Sequence, residues 1–307
     1  MMSPAELRER LRTVIPFPVT PFHDDYSLDL DGLRRNVDFL AREGSPAVLA
    51  AGGTGEFFSL TFTEWKAVVA ATAEAADGRC LLLAGVGVNP AVAAEMAEFA
   101  ESVGVDGLLM MPPHYGEASD DGFYQYYKAI ADSTSLGVFP YARDHAKLGP
   151  ALVDRLADVP NIVAFKDGQG DVRMFQRIRS HVGDKLLWLA GVGDDMVHAY
   201  FAAGAEGYTS SNANYNPKSA IEALELARAG KFSELQAKIE RETLPIYDIR
   251  YKVRGYEVTV MKEVMMAIGL AGGPVRPPLA ELSPDDKAAV HAAIAKIGLR
   301  DMVAAHV

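Results

Sequence analysis

Eight short apolar runs of β character recur at intervals of about 20 to 35 residues, and this recurrence limits what the chain can fold into more than any other feature. They are Val14–Thr20, Ala47–Ala51, Leu81–Val86, Gly107–Met111, Leu136–Tyr141, Ile162–Lys166, Leu186–Gly191 and Gly207–Ser210. Their near-continuous apolar character is that of strands covered on both faces, and the intervals suit a returning helix rather than a hairpin. The intervening sequence carries helix punctuation. Thr61-Phe-Thr-Glu64 has capping-box form ahead of the amphipathic stretch Trp65–Ala76. Asn89-Pro90 opens a helix running to Gly104, and Asn216-Pro217 opens one ending near Gly230. Beyond the eighth run the pattern is helical only, at Phe232–Leu244, Val258–Ile268 and from Ser283-Pro-Asp-Asp286 to Gly298.

Eight strand–helix units with a helical appendix predict an α/β fold, a (β/α)8 TIM barrel with a C-terminal helical extension, whose active site forms at the C-terminal ends of the strands. The rival is a doubly wound open sheet, but dinucleotide binding on such a sheet wants G-x-G-x-x-G and an acidic partner, and Gly85-Val-Gly87 stops short of it. The 307-residue length permits one large barrel or two domains, and the strand count favours the former. Residues 1–220 are taken as the barrel with its N-terminal segment, and 221–307 as the last barrel helix and the C-terminal extension of the same structural unit.

Charge narrows the function. Thirty Lys and Arg against 41 Asp and Glu leave a net −11, with no basic run along any predicted helix, so nucleic acid is not an expected partner. The same field repels small anions, so a site for one must concentrate cations and backbone N–H groups locally. Cys80 stands alone, which excludes an intramolecular disulfide and a cysteine zinc cage and fits a reducing compartment. The seven histidines lack metal-ligand spacing with carboxylates, so neither metal nor cofactor is expected. Met1–Arg12 has no signal-peptide core and no stretch reaches 18 uninterrupted apolar residues, so the expectation is a cytoplasmic protein without membrane insertion.

On a barrel, the polar residues that end strands are the candidates. Lys166 ends the sixth run, where partial burial would lower its pKa and free the amine to attack a carbonyl. A Lys that snorkels from the rim, or pairs with Asp167 or Asp171, is the competing reading. Lys185 lies at the opposite end of the barrel and Lys147 in a loop. Tyr141 ends the fifth run and Arg143 follows it; a phenol there can relay protons and a guanidinium can clamp a carboxylate. Each also has an ordinary reading, as a wall aromatic and as a partner of Asp144. After the second run, Gly52-Gly-Thr-Gly-Glu56 turns sharply enough to expose successive N–H groups, which with the Thr54 hydroxyl suit a carboxylate, or simply make a tight connection. Asp194-Asp195 fits a dipole-stabilised helix start, and Met261, Met265 and Met266 a core or interface stripe.

Together, Gly52-Gly-Thr-Gly-Glu56, Tyr141, Phe165-Lys-Asp-Gly-Gln-Gly-Asp171 and Gly273-Pro-Val-Arg-Pro-Pro-Leu279 resemble the dihydrodipicolinate synthase and N-acetylneuraminate lyase superfamily over nearly the whole chain. Gly52–Leu60, Tyr141-Ala-Arg-Asp144, Lys166-Asp-Gly168 and Gly255-Tyr-Glu-Val258 resemble its 5-dehydro-4-deoxyglucarate dehydratase branch. The resemblance implies a Schiff-base lysine at Lys166, a proton relay at Tyr141, Gly53 and Thr54 on the carboxylate beside the reacting ketone, and Ser210 close to the substrate. It implies a 2-keto sugar acid as the small-molecule partner, dehydrated and decarboxylated, with a homotetrameric assembly. Synthases of the superfamily carry an Arg where this chain has Ala146 and a paired Tyr segment where it has Pro113-His114-Tyr115; the dehydratases carry Asn at the positions of Ala142 and His145. Arg143 is the candidate for the distal carboxylate. The alternatives are a 2-keto acid aldolase of the same fold and a non-catalytic sugar-acid binding protein, for which Lys166 and Tyr141 are chemically unnecessary.

Overall fold

Proline decides where the first strand stops. In the computed structural model, which describes residues 2–115 and 117–300, β1 spans only Val14–Pro16 of the apolar run expected to reach Thr20. Pro18 has no N–H for the ladder, and the Val19 N–H turns instead to the Asn214 side chain at 3.3 Å. The other strands fall on their predicted runs: β2 Ala47–Ala50, β3 Leu81–Val86, β4 Gly107–Met110, β5 Gly137–Ala142, β6 Ala164–Asp167, β7 Leu187–Ala190 and β8 Gly207–Ser210. All pair in parallel in the order β1-β8-β7-β6-β5-β4-β3-β2, and the two end strands lie against each other, so the sheet curls into a barrel. Every strand residue is buried, as expected when helices cover the outer face and side chains fill the inner one. Among the described residues, no helix is long and apolar enough to cross a membrane.

The register places chemistry. Tyr141 pairs with Lys166 across β5 and β6, so the two side chains project from the same face of the sheet at the C-terminal rim. The helix starts behave as their sequences dictate: the Thr61–Glu64 box caps Phe62–Ala76 reciprocally, and Asn89 and Asn216 cap the helices Pro90–Ser102 and Pro217–Arg228.

The appendix departs from expectation at one point. The helix expected to end at Leu244 runs on to Arg250, through a wide π turn at Ile239–Thr243. Pro245 has no N–H to offer the Arg241 carbonyl, and the wider turn lies just ahead of it. A second apolar cluster gathers Ile246, Val260, Met261, Met265 and Ile294 around Val19 and Tyr215 from the barrel. Met261 and Met265 are core residues, whereas Met266 is exposed. Residues 301–307 of the expected extension, including His306, lie outside the described residues.

The appendix grips the barrel through a buried ion pair. Lys262, on the helix Tyr256–Ala267, meets Glu56 at 2.6 Å with both side chains at most 1% exposed. Glu56 also accepts the Arg276 N–H at 3.0 Å, while Arg276 bonds the Ser59 carbonyl and Glu64. Its guanidinium holds the Glu64 carboxyl down at about 2. The segment Gly273–Leu279 thereby fastens the loop after β2, the Gly52–Glu56 turn that faces the barrel mouth. Lys262→Met strands the Glu56 carboxylate and is expected to cost about 3–5 kcal/mol, read from the denaturation midpoint. Glu56→Gln/Lys262→Met should recover most of it; a single variant as stable as the parent would refute the clamp.

Candidate active site

At the C-terminal rim a cavity is lined by Gly53, Thr54, Tyr141, Arg143, Lys166 and Ser210, all six residues expected from the sequence. An outer chamber adjoins it, sharing Gly53, Thr54, Arg143 and Arg250 with it and walled by Phe57, Phe58 and Leu279. The barrel supplies Lys166 and Tyr141, and the appendix supplies part of the outer wall.

Lys166 is only 1% exposed, and neither aspartate pairs with it. The Asp167 carboxylate accepts from the Tyr200 hydroxyl at 2.7 Å and the Gln169 N–H at 2.9 Å, and Asp171 caps the helix Val172–Val182. Lys185 is committed to Asp154 and Asp158 at the surface, and Lys147 is exposed. The Lys166 Nζ sits 3.1 Å from the centre of the Tyr141 ring, 5.0 Å from that of Phe17, and 3.5 Å from the Gly191 carbonyl. Burial without a carboxylate penalises the ammonium and brings its pKa down to about 8, even though Tyr141 pulls the other way.

Tyr141 shows the complementary balance. Burial alone would raise the phenol, but the Arg143 guanidinium and the Lys166 amine outweigh it and bring it down to about 8. Its hydroxyl donates to the Gly191 carbonyl at 3.3 Å and accepts from Arg143 Nη1 at 3.3 Å. Amine and phenol thus titrate in the same range as a coupled acid–base pair.

Two glycines make the room. A Cβ on Gly191 would lie 2.7 Å from Lys166 Cγ and 2.9 Å from its Cε, and one on Gly168 would lie 2.4 Å from the Tyr141 ring. Gly191 follows β7, so its carbonyl is outside the strand and available to both groups.

The loop after β2 turns at Ala51, whose φ is +50°. The Gly52 and Gly53 carbonyls accept the Phe57 and Glu56 N–H groups at 3.2 and 3.1 Å. Gly53 and Thr54 line the cavity, and among the described residues no hydrogen bond uses their N–H groups, which leaves them available to an anion.

Ser210 lines the cavity, but its hydroxyl donates to Asp194 and accepts the Ala213 N–H at 2.9 Å, so it shapes the wall more than it offers a free donor. Asp194 and Asp195 stand in the first turn of the short 3-10 helix Asp194–Met196, as expected of an acidic pair at a helix start; the buried Asp194 carboxylate also takes the Ser211 and Asn212 N–H groups at 3.0 and 3.1 Å and the Tyr247 hydroxyl at 2.7 Å, fixing the end of β8 to the appendix. Arg143 is half-buried and already bonded to Tyr141 and, through Nε at 3.2 Å, to Asp144, so its fork is not free for a two-pronged clamp. Tyr115 is 80% exposed and lines neither cavity.

Strand-end reasoning missed Arg250, which is 7% exposed and lines both cavities from the end of its helix. Its signal was present: with Ile246 and Tyr247 it lies at i, i+1 and i+4, a charge on the buried helix face.

A family model, the dihydrodipicolinate synthetase family, matches residues 10–297. The chain is 37% identical over 300 residues, 96% of each sequence, to a protein of Bradyrhizobium diazoefficiens named probable 5-dehydro-4-deoxyglucarate dehydratase. Dihydrodipicolinate synthase from Oceanobacillus iheyensis superposes with a TM-score of 0.91 at 26% identity, covering 96% of this chain and 99% of that one. The chloride-inhibited dihydrodipicolinate synthase from Acinetobacter baumannii, complexed with pyruvate, does so at 0.87 and 26%, covering 94% and 99%.

Trapping of a 2-oxo acid on the amine by borohydride should accelerate as pH rises through about 8, where Lys166 loses its proton. Because Tyr141 holds the amine's pKa up, Tyr141→Phe should move that profile to lower pH; an unmoved profile would show the pair to be uncoupled. Gly191→Ala displaces the Lys166 stem and should slow trapping about 10²-fold, and an unaffected rate would contradict the packing argument.

Proposed function

The chain belongs to the dihydrodipicolinate synthetase family, and on that premise we propose that it is a Schiff-base-forming lyase that converts 5-dehydro-4-deoxy-D-glucarate to 2-oxoglutarate semialdehyde, water and carbon dioxide. The observation that carries the reading is a buried amine, Lys166, without a counter-carboxylate, lying against a phenol of lowered pKa in a cavity lined by cations and free N–H groups. The protein of Bradyrhizobium diazoefficiens named probable 5-dehydro-4-deoxyglucarate dehydratase supports the choice of substrate, and the pyruvate complex of the Acinetobacter baumannii synthase supports a 2-oxo acid as the ligand class.

In this reading the carboxylate beside the ketone rests on the Gly53 and Thr54 N–H groups, with Arg143 beside them; a Cβ on Gly53 would lie 3.4 Å from Arg143 Nη1. The neutral Lys166 amine adds to the ketone carbon, and loss of water from the carbinolamine leaves an iminium. Tyr141, whose ring lies against the amine and whose hydroxyl shares the Gly191 carbonyl with it, relays the protons of that exchange. The iminium acidifies the adjacent CH2, whose proton leaves as the β-hydroxyl departs as water. In the resulting conjugated iminium, the electrons of the bond to the distal carboxylate flow to nitrogen as carbon dioxide leaves. Protonation and hydrolysis return Lys166 and release the semialdehyde.

No step depends on Ser210 as a proton carrier, in line with its bonds to Asp194 and Ala213. A homotetrameric assembly, which the family resemblance implies, belongs to the same proposal.

Product analysis tests the reaction: equimolar carbon dioxide and semialdehyde are expected, whereas pyruvate plus an aldehyde would assign the aldolase chemistry instead. Tyr141→Phe should lower kcat by about 10²–10⁴-fold, the range for a positioned proton carrier. A wild-type kcat in that variant would remove Tyr141 from the mechanism.

A further inference from the structure

Arg250 is a charge without a partner. Its Nε and Nη1 are shut from solvent with no acceptor, and among the described residues no carboxylate forms an ion pair with it. A guanidinium cannot escape by losing its proton. The Tyr247 ring at 4.6 Å and the Tyr251 ring at 5.9 Å offset part of the burial, as aromatic faces do for a cation, but they leave Nε and Nη1 without an acceptor. The acidic groups around it are engaged elsewhere. Asp194 holds Ser210, Ser211, Asn212 and Tyr247; Asp195 faces the Tyr251 hydroxyl at 3.5 Å; Glu257 accepts the Gly255 N–H at 3.1 Å. Buried donors left without acceptors are rare in folded proteins and call for a ligand or a stored cost.

The position of this cation says what the ligand is. Arg250 lines the inner cavity with Lys166 and the outer chamber beyond it, so it stands along the path from the reacting amine to the mouth. Arg143 occupies both cavities too, but its Nη1 and Nε are taken by Tyr141 and Asp144. The N–H groups of Gly53 and Thr54 account for one carboxylate.

We propose that Arg250 receives the carboxylate at the far end of the substrate from the ketone, which makes the site selective for 2-oxo diacids over 2-oxo monoacids. The inference rests on the reading of the cavity as a 2-oxo acid lyase site and reassigns to Arg250 the distal contact expected of Arg143. A diacid brings its second carboxylate to the guanidinium where Arg250 lines the cavities and answers its charge, whereas a monoacid of equal length leaves that charge facing a methyl group. A site built around a polar contact discriminates strongly in that way.

The test is reductive trapping by borohydride at varied concentrations of 2-oxoadipate and of 2-oxohexanoate, six-carbon acids that differ in a terminal carboxylate against a methyl. The parent protein should favour the diacid by about 10- to 100-fold in apparent affinity, the range for a charge-assisted contact. Arg250→Met should abolish the preference, and Arg250→Gln carries the same comparison where the methionine variant does not fold. A parent without preference, a variant that keeps it, or equal weakening of both acids would overturn the proposal, the last by making Arg250 a support of the fold. Failure of the sugar diacid to release carbon dioxide would remove the proposed reaction yet leave this preference measurable, so the two can fail separately.

Discussion

Lys166 brings an amine into the barrel interior where, among the described residues, no carboxylate forms an ion pair with it, and the surrounding structure keeps it so. Its chain neighbour Asp167 is turned to Tyr200 and Gln169, and Asp171 is used as a helix cap. The missing side chains of Gly191 and Gly168 let the lysine stem and the Tyr141 ring occupy the same small space. Had either aspartate paired with Lys166, the ammonium would be stabilised and the nucleophile lost at neutral pH. Placing Tyr141 rather than a carboxylate at 3.1 Å leaves the amine reachable as a neutral base and gives it a proton partner of similar pKa.

That arrangement needs a rigid rim, because geometry errors near 1 Å are costly in catalysis. Two buried carboxylates supply it. Glu56 joins the anion loop after β2 to Lys262 and Arg276 of the appendix, and Asp194 joins the end of β8 to Tyr247. The helical extension is therefore part of the site's construction, fixing two of its walls and contributing Arg250. It also resolves the charge problem. A chain of net −11 does not attract a dianion by its overall field, but Lys166, Arg143 and Arg250 concentrate positive charge at one point on the rim.

Much of this was legible in the sequence because strands of a barrel are short, apolar and evenly spaced, and because polar residues at their ends stand out against that background. Lys166 and Tyr141 were found in this way, and their cross-strand pairing follows from the parallel register. Helix starts were equally plain, since Thr61, Asn89 and Asn216 act through local hydrogen bonds. Contacts between distant segments were not legible. Glu56 belonged to a recognised motif, yet nothing local announces Lys262 or Arg276 as its partners. Asp194 was legible as a helix-start residue, but its side-chain partners lie 16 to 53 residues further along the chain and were not. Arg250 escaped because it ends a helix beyond the eighth strand, and Pro245 with its π turn made that helix look shorter than it is.

The central claim is that one amine among the lysines of this chain is the nucleophile, and it is tested most directly by locating the bond. After borohydride reduction in the presence of a 2-oxo acid, peptide mass mapping should find the adduct on Lys166 alone, with none formed in Lys166→Ala. An adduct on Lys147 or Lys262, or one that persists in Lys166→Ala, would contradict the account.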